Sequence, residues 1–126
     1  MKVGVKMIYI KSDKVLPITP VLTRYSNVSI NYEVCKSCSH LIYIVGKLVT
    51  FTVQFVLTNS YQHAVILRNM PPQLDSNVRI VTAGTNLARS STCYGLITQN
   101  HTLEFHDTVM PSRDNTCILS GAYICA

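Results

Sequence analysis

GKLVTFTVQFVLTN, residues 46–59, decides the fold class. Val49, Phe51, Val53, Phe55 and Leu57 occupy every second position, with Thr50, Thr52 and Gln54 between them. Side chains alternate faces along a strand, so this spacing describes a strand with one buried and one wet face. The buried set needs a second apolar surface to pack against. The rest of the chain is read for where that surface comes from.

The neighbouring segments repeat the same grammar. VLTRY (21–25), NVSINYEV (27–34), HLIYIV (40–45), AVILRN (64–69) and NVRIVTAG (77–84) all read as short strands. So do CYGLIT (93–98), HTLEFH (101–106) and the final CILSGAYICA (from about 116), while MIYI (7–10) is a short apolar run. Gln99-Asn100 is a two-residue hairpin candidate. MPPQLDSN (70–77) and MPSRDN (110–115) are loops forced by proline, which removes a donor and fixes φ. NSYQH (59–63) supplies turn residues, and TNLARSST (85–92) reads as a polar loop. No window carries helical periodicity with caps at both ends. About eight short strands at roughly ten-residue spacing predict an all-β antiparallel sandwich or barrel. Ile30, Tyr32, Ile80 and Ile124 are expected on the inner face opposite residues 49–57.

Composition agrees with this. Of 126 residues, 48% are hydrophobic and only 13% charged, about half the charge of an average soluble domain. The net charge is +5, but the eleven Lys and Arg are scattered. The clustered footprint of a nucleic-acid binder is missing. The longest apolar stretch, residues 40–57, is interrupted by Gly46 and Lys47 and has period two, so it is no transmembrane helix. Lysines break the apolar segment that a signal peptide would need at MKVGVKMIYIK. Neither membrane insertion nor export is expected.

Five cysteines, Cys35, Cys38, Cys93, Cys117 and Cys125, cannot all pair within one chain. Free buried thiols are the simplest reading. Cys35-Lys36-Ser37-Cys38 is the lone CxxC. A redox role would need a helix N-terminus in a βαβ setting. Zinc would need two further ligands, from His40, His101 or Cys117. Otherwise these are two loop thiols. A Cys–His site drawn from His101, His106, Asp107 and Cys117 has no nucleophile motif behind it. The six carboxylates form no close sequence pair. No catalytic residues and no metal ligands are assigned. Asn27-Val28-Ser29 and Asn100-His101-Thr102 fit the glycosylation sequon and, without a secretion signal, read as chance matches.

Polar aromatic loops remain. Tyr61, Gln62 and His63 fall in one loop, and Asn86, Arg89 and Tyr94 lie in or beside another. Rings and planar polar groups on loops suit uncharged polar ligands such as sugars. Each residue also fits a plain solvated turn.

YSNVSINYEV (25–34), GKLVTFTVQFVLTN (46–59), VILRNMPPQLDSNVRIVTAG (65–84) and the terminal GAYICA together resemble the C-terminal head domain of phage tail-fibre and baseplate receptor-binding proteins. The resemblance covers about residues 20–126. It implies a jelly-roll-like β-sandwich head, residues 17–126, preceded by an N-terminal extension, residues 1–16. It implies a homotrimer at a virion tail tip, joined to other tail-fibre or baseplate segments. Such a head binds a host-surface saccharide or protein through loops or subunit clefts, without catalysis or cofactor. Tyr61, Gln62, His63, Asn86, Arg89 and Tyr94 are then the expected contacts. CKSCSHLIYIV (35–45) departs from the pattern, as an insertion, an extra edge strand or a source of register error. No shaft or virion-anchoring pattern is read before residue 20, so an isolated head, a fragment of a longer fibre or a small stand-alone relative is expected. A structural virion module without receptor binding is the alternative, and a small metal-binding domain built on Cys35 and Cys38 is the third reading.

Overall fold

The computed structural model describes residues 21–87, 91–107 and 115–126. The run at 7–10 and the loop at 110–115 lie largely or wholly outside them. Every described element is a β-strand: β1 (Leu22–Arg24), β2 (Ser29–Ile30), β3 (Cys35–Val45), β4 (Leu48–Leu57), β5 (His63–Arg68), β6 (Ile80–Asn86), β7 (Ser91–Ile97), β8 (Leu103–His106) and β9 (Thr116–Ile124). They form one sheet in the order β1-β3-β4-β9-β6-β7-β8-β5-β2, with antiparallel neighbours throughout. Among the described residues no helix is long and apolar enough to cross a membrane.

β4 carries the alternation read from residues 46–59. Val49, Phe51, Val53, Phe55 and Leu57 are all buried, while Thr50, Thr52 and Gln54 are exposed. Its partner surface is the far half of the same sheet. β1 and β2 sit at opposite ends of the strand order but are joined by only residues 25–28. A flat sheet would hold its edges roughly 40 Å apart, at ~4.8 Å per strand spacing. The link from Arg24 to Ser29 reaches at most about 18 Å. The sheet must therefore curl until its edges approach.

Side-chain contacts record the closure. Phe55 on β4 meets Phe105 on β8 edge to face, with centroids 5.5 Å apart. Tyr25, just after β1, donates its hydroxyl to the Asn69 carbonyl at 2.8 Å, and Asn69 Nδ2 donates to the Asn27 carbonyl at 2.6 Å. The core between the halves holds Ile42, Ile66, Leu67, Ile97, Leu103 and Leu119 alongside the inner face of β4.

Several local expectations change. Residues 27–34 are mostly turn, and only Ser29–Ile30 is strand. Asn31 is the cause: its buried amide donates to the Val65 carbonyl, and its own carbonyl accepts the Val34 and Cys35 amides. Asn31 Oδ1 also accepts the Glu33 amide at 3.3 Å, and a side chain that bonds locally to backbone competes with a ladder. Tyr32 therefore sits on a turn, 66% exposed, rather than on the inner face. Ile124 also points outward, because the inward parity of β9 belongs to Cys117, Leu119 and Tyr123. Ile30 and Ile80 do pack against the core.

CKSCSHLIYIV forms β3 throughout, with a bulge between Cys35 and Ser37, so its first half is strand and not loop. β3 and β4 turn through Gly46-Lys47. Gly46 has φ +60° and Lys47 does not share the positive φ, the pattern of a type II′ hairpin turn. The polar stretch after residue 84 also contributes strand, since β6 runs on to Asn86 and β7 begins at Ser91.

The hairpin near Gln99-Asn100 is one residue longer than expected. Thr98 N–H donates to the Thr102 carbonyl and His101 N–H to the Thr98 carbonyl, each at 3.0 Å, with His101 at φ 62°. This is a three-residue loop ending in a left-handed residue. The proline loop at 70–77 holds as read. It is pinned by buried Gln73, whose amide nitrogen donates to the Val78 and Thr98 carbonyls.

Candidate functional site

The outer faces of β5, β8 and β7 carry a row of rings. Register places His63 opposite His106, and His106 opposite Tyr94. Tyr94 and His106 stack with centroids 5.2 Å apart and planes 9° from parallel. His106 and His63 follow at 5.7 Å and 24°. The row faces outward because its strand neighbours Cys93 and Phe105 take the core parity. Rings opposite one another on adjacent strands stack through cross-strand pairing.

Glu104 fixes the central ring. Its Oε1 lies 3.0 Å from His106 Nε2. A carboxylate only accepts, so Nε2 carries the proton. Glu104 and His106 are two residues apart on β8 and share a face. Glu104 also lines a small polar cleft of about 150 Å³ with Arg79, Leu96, Thr98, Gln99 and Asn100, formed around the β7–β8 hairpin. Row and cleft are therefore contiguous.

Of the six residues named from sequence, His63 and Tyr94 belong to the row. Gln62 is exposed beside it, and its carbonyl accepts the Asp107 amide at 2.8 Å, tying this loop to the end of β8. Tyr61 is half-buried and packs against the core. Asn86 is fully buried on β6, paired with Cys117 and Ser91, and is no surface contact. It sits on the inward parity of a strand that runs further than its polar sequence suggested. Arg89 lies outside the described residues. The sequence reading missed His106 and Glu104. The alternation of LEFH offered a signal for their common face, but the meeting of His106 with His63 depends on the pairing of β5 with β8.

The cysteine and histidine constellations do not assemble a reactive centre. Cys117 points into the core on β9, while His106 faces outward on β8. Burial pushes the Cys117 thiol up to about 12, helped by nearby Cys93 and Asp107. Cys93 rises to about 11 for the same first reason. His101 sits in the hairpin with Nδ1 3.2 Å from Gln73 Oε1. Cys35 and Cys38 lie on strand β3, not in a loop. Burial raises Cys35 to about 12 and Cys38 to about 11, the reverse of the lowered thiol that redox exchange needs. His40 lies on the same strand, held below its usual range by burial and then by Arg24. Among the described residues no group of three His, Cys, Asp or Glu is arranged to hold a metal ion.

Two larger clefts lie elsewhere. One, about 520 Å³, runs along β3 beside Arg24, Cys38, His40 and Leu41. The other, about 320 Å³, is apolar and lined by Leu74, Val78, Ile80 and Ile124. No protein-family model matches the chain, and no curated protein matches it either.

Proposed function

We propose that this chain is a non-enzymatic receptor-binding head that holds a saccharide on the Tyr94–His106–His63 row. The row is the observation that carries the reading. Three near-parallel rings on adjacent strands stack into a rigid outward ridge, with Tyr94 and His63 exposed at its ends and His106 partly buried between them. A sugar has an apolar C–H face that packs against the exposed end rings of such a ridge, while its hydroxyls seek the polar ring edges and planar polar partners. Gln62 and Glu104 flank the platform. Both ends of the row are anchored by strand ladders, so little ordering entropy is lost on binding.

The wider setting follows the phage tail-fibre and baseplate heads that the sequence resembles. The two facing halves of the curled sheet support a jelly-roll-like sandwich. A homotrimer at the virion tail tip would present three platforms, and linked weak sites gain avidity. The apolar cleft at Leu74, Val78 and Ile124, with Val81 exposed close by, supports subunit contact through that face. The same cleft also supports the second reading, a structural virion module whose surfaces serve assembly alone.

Titration of the purified chain against a panel of oligosaccharides, read by ligand-observed NMR, separates the two. The receptor reading expects saturation transfer to at least one sugar, lost in Tyr94→Ala and weakened in His63→Ala while the fold is retained. A folded chain that transfers to no sugar, or loses nothing with Tyr94→Ala, favours the structural module.

A further inference from the structure

Resting on the multimeric part of that reading and not on the saccharide, we infer that the outer face where β4, β9 and the 70–79 segment meet is covered by another copy of this chain, with Lys47 of one copy against Asp75 of the next. The face is apolar and continuous. Leu48 pairs with Ile124 across β4 and β9. The Ile124 carbonyl accepts the Leu74 amide at 2.9 Å. Leu74, Val78 and Ile124 line one cleft of about 320 Å³, and Val81 stands on the outward parity of β6. Exposure of these five runs from 42% at Leu48 to 68% at Val81. Aliphatic side chains this open sum to roughly several hundred Å², the size at which contiguous apolar surface marks an interaction site. One side of a standard interface is ~800 Å², a little over half of it apolar. The face therefore supplies about the apolar area that one partner needs.

Charge placement selects the partner. The Ile124–Cys125 peptide divides the rim. Its N–H donates to the Lys47 carbonyl at 2.8 Å, while its C=O turns the opposite way to Leu74. Lys47 and the segment carrying Asp75 thus lie on opposite sides of β9, about two strand spacings or ~10 Å apart. Both residues are exposed, and neither has an ion-pair partner among the described residues. Arg79 lines the separate hairpin cleft with Glu104, not this one. An apolar centre with a cation on one flank and an anion on the other is complementary to itself. A partner of uniform charge, or an anionic membrane surface, would meet repulsion on one flank. Two copies turned about β9, or three in a closed ring, can bring each Lys47 to a neighbour's Asp75.

The test is the solution mass of the full chain by light scattering, up to about 200 μM so that micromolar self-affinity fills the assembly. A mass of two or three chains is expected. Val81→Lys on the strand and Leu74→Ser on the loop should each weaken association at least about tenfold, with circular dichroism unchanged. Lys47→Asp and Asp75→Lys should each weaken it, and the double swap should recover part of the loss. A wild-type mass of one chain at the highest concentration overturns the inference. So does a multimer that neither Val81→Lys nor Leu74→Ser weakens. A double swap no better than the single variants overturns the Lys47–Asp75 pairing. Saturation transfer from sugars is read on the same samples. A single chain that still shows transfer removes this interface and leaves the receptor reading, whereas a multimer that transfers to no sugar does the reverse.

Discussion

Phe55 and Phe105 test the closure of the sheet directly. β4 and β8 are four places apart in the strand order, which in a flat sheet is about 19 Å. Their rings nevertheless meet at 5.5 Å with planes at 75°. Both residues are about 1% exposed or less. Replacing either with Leu removes ring area and leaves a partial void, at a cost of about 1–3 kcal/mol each. Leu is preferred to Ala because the larger loss, ~3–5 kcal/mol, approaches the whole stability of a small domain. The informative quantity is the coupling. Edge-to-face pairs are worth about 0.5–1.5 kcal/mol beyond their area, so the double variant should be less destabilised than the sum by roughly 1 kcal/mol. The chain has seven tyrosines and no tryptophan, so urea unfolding is followed by tyrosine fluorescence and circular dichroism together. A coupling below about 0.3 kcal/mol is the additivity of residues that do not touch. That result would refute the facing of β4 and β8.

Two further outcomes follow from the packing. A Cβ at Gly95 would press on Thr82 Oγ1 and lie 3.1 Å from Leu119 Cδ1, so Gly95→Ala should cost about 1–3 kcal/mol. Adding Thr82→Ala should recover part of it by emptying the nearest position, and no recovery in thermal melts would show that the strain lies elsewhere. The buried thiols and the partly buried Cys38 set a response to alkali. Cys35 and Cys117 ionise near 12 and Cys38 and Cys93 near 11 in the folded chain, against about 8.5 when unfolded. Above that value the unfolded chain releases thiol protons that the folded chain keeps. It then binds fewer protons, and stability falls as pH rises. Each such thiol steepens the fall by up to about 1.4 kcal/mol per pH unit from ~8.5 towards the folded values. Urea midpoints between pH 8 and 10.5 should therefore fall less steeply for Cys117→Ala than for wild type, and identical slopes would show that Cys117 is not protected.

The alternation at residues 48–57 was legible because a strand's side-chain period is a local property. The same holds for the proline loop at 70–77, where missing donors forbid a ladder whatever surrounds it. Residues 27–34 show the limit of that reasoning. Their alternation is real, but Asn31 finds the Val65 carbonyl on another strand, and that partner is invisible in a local window. CKSCSHLIYIV erred the other way: a bulge absorbed its irregular parity and let it pair along the whole length of β4.

The candidate site divides along the same line. His63 and Tyr94 stood out as exposed ring-bearing residues, and Glu104 and His106 shared a face by spacing alone. Their assembly into one surface required β8 to lie between β5 and β7; β7 is its hairpin neighbour, but the partners His63 and His106 stand 43 residues apart. Asn86 and Tyr61 were polar by sequence yet turned inward once strand length and curl were set. By itself the sequence determined that this chain is all-β and which face of β4 is buried, because period, proline and glycine act on neighbouring residues. Only the tertiary structure decided what β4 packs against and which rings meet, because curl and strand order come from burying every inner face at once.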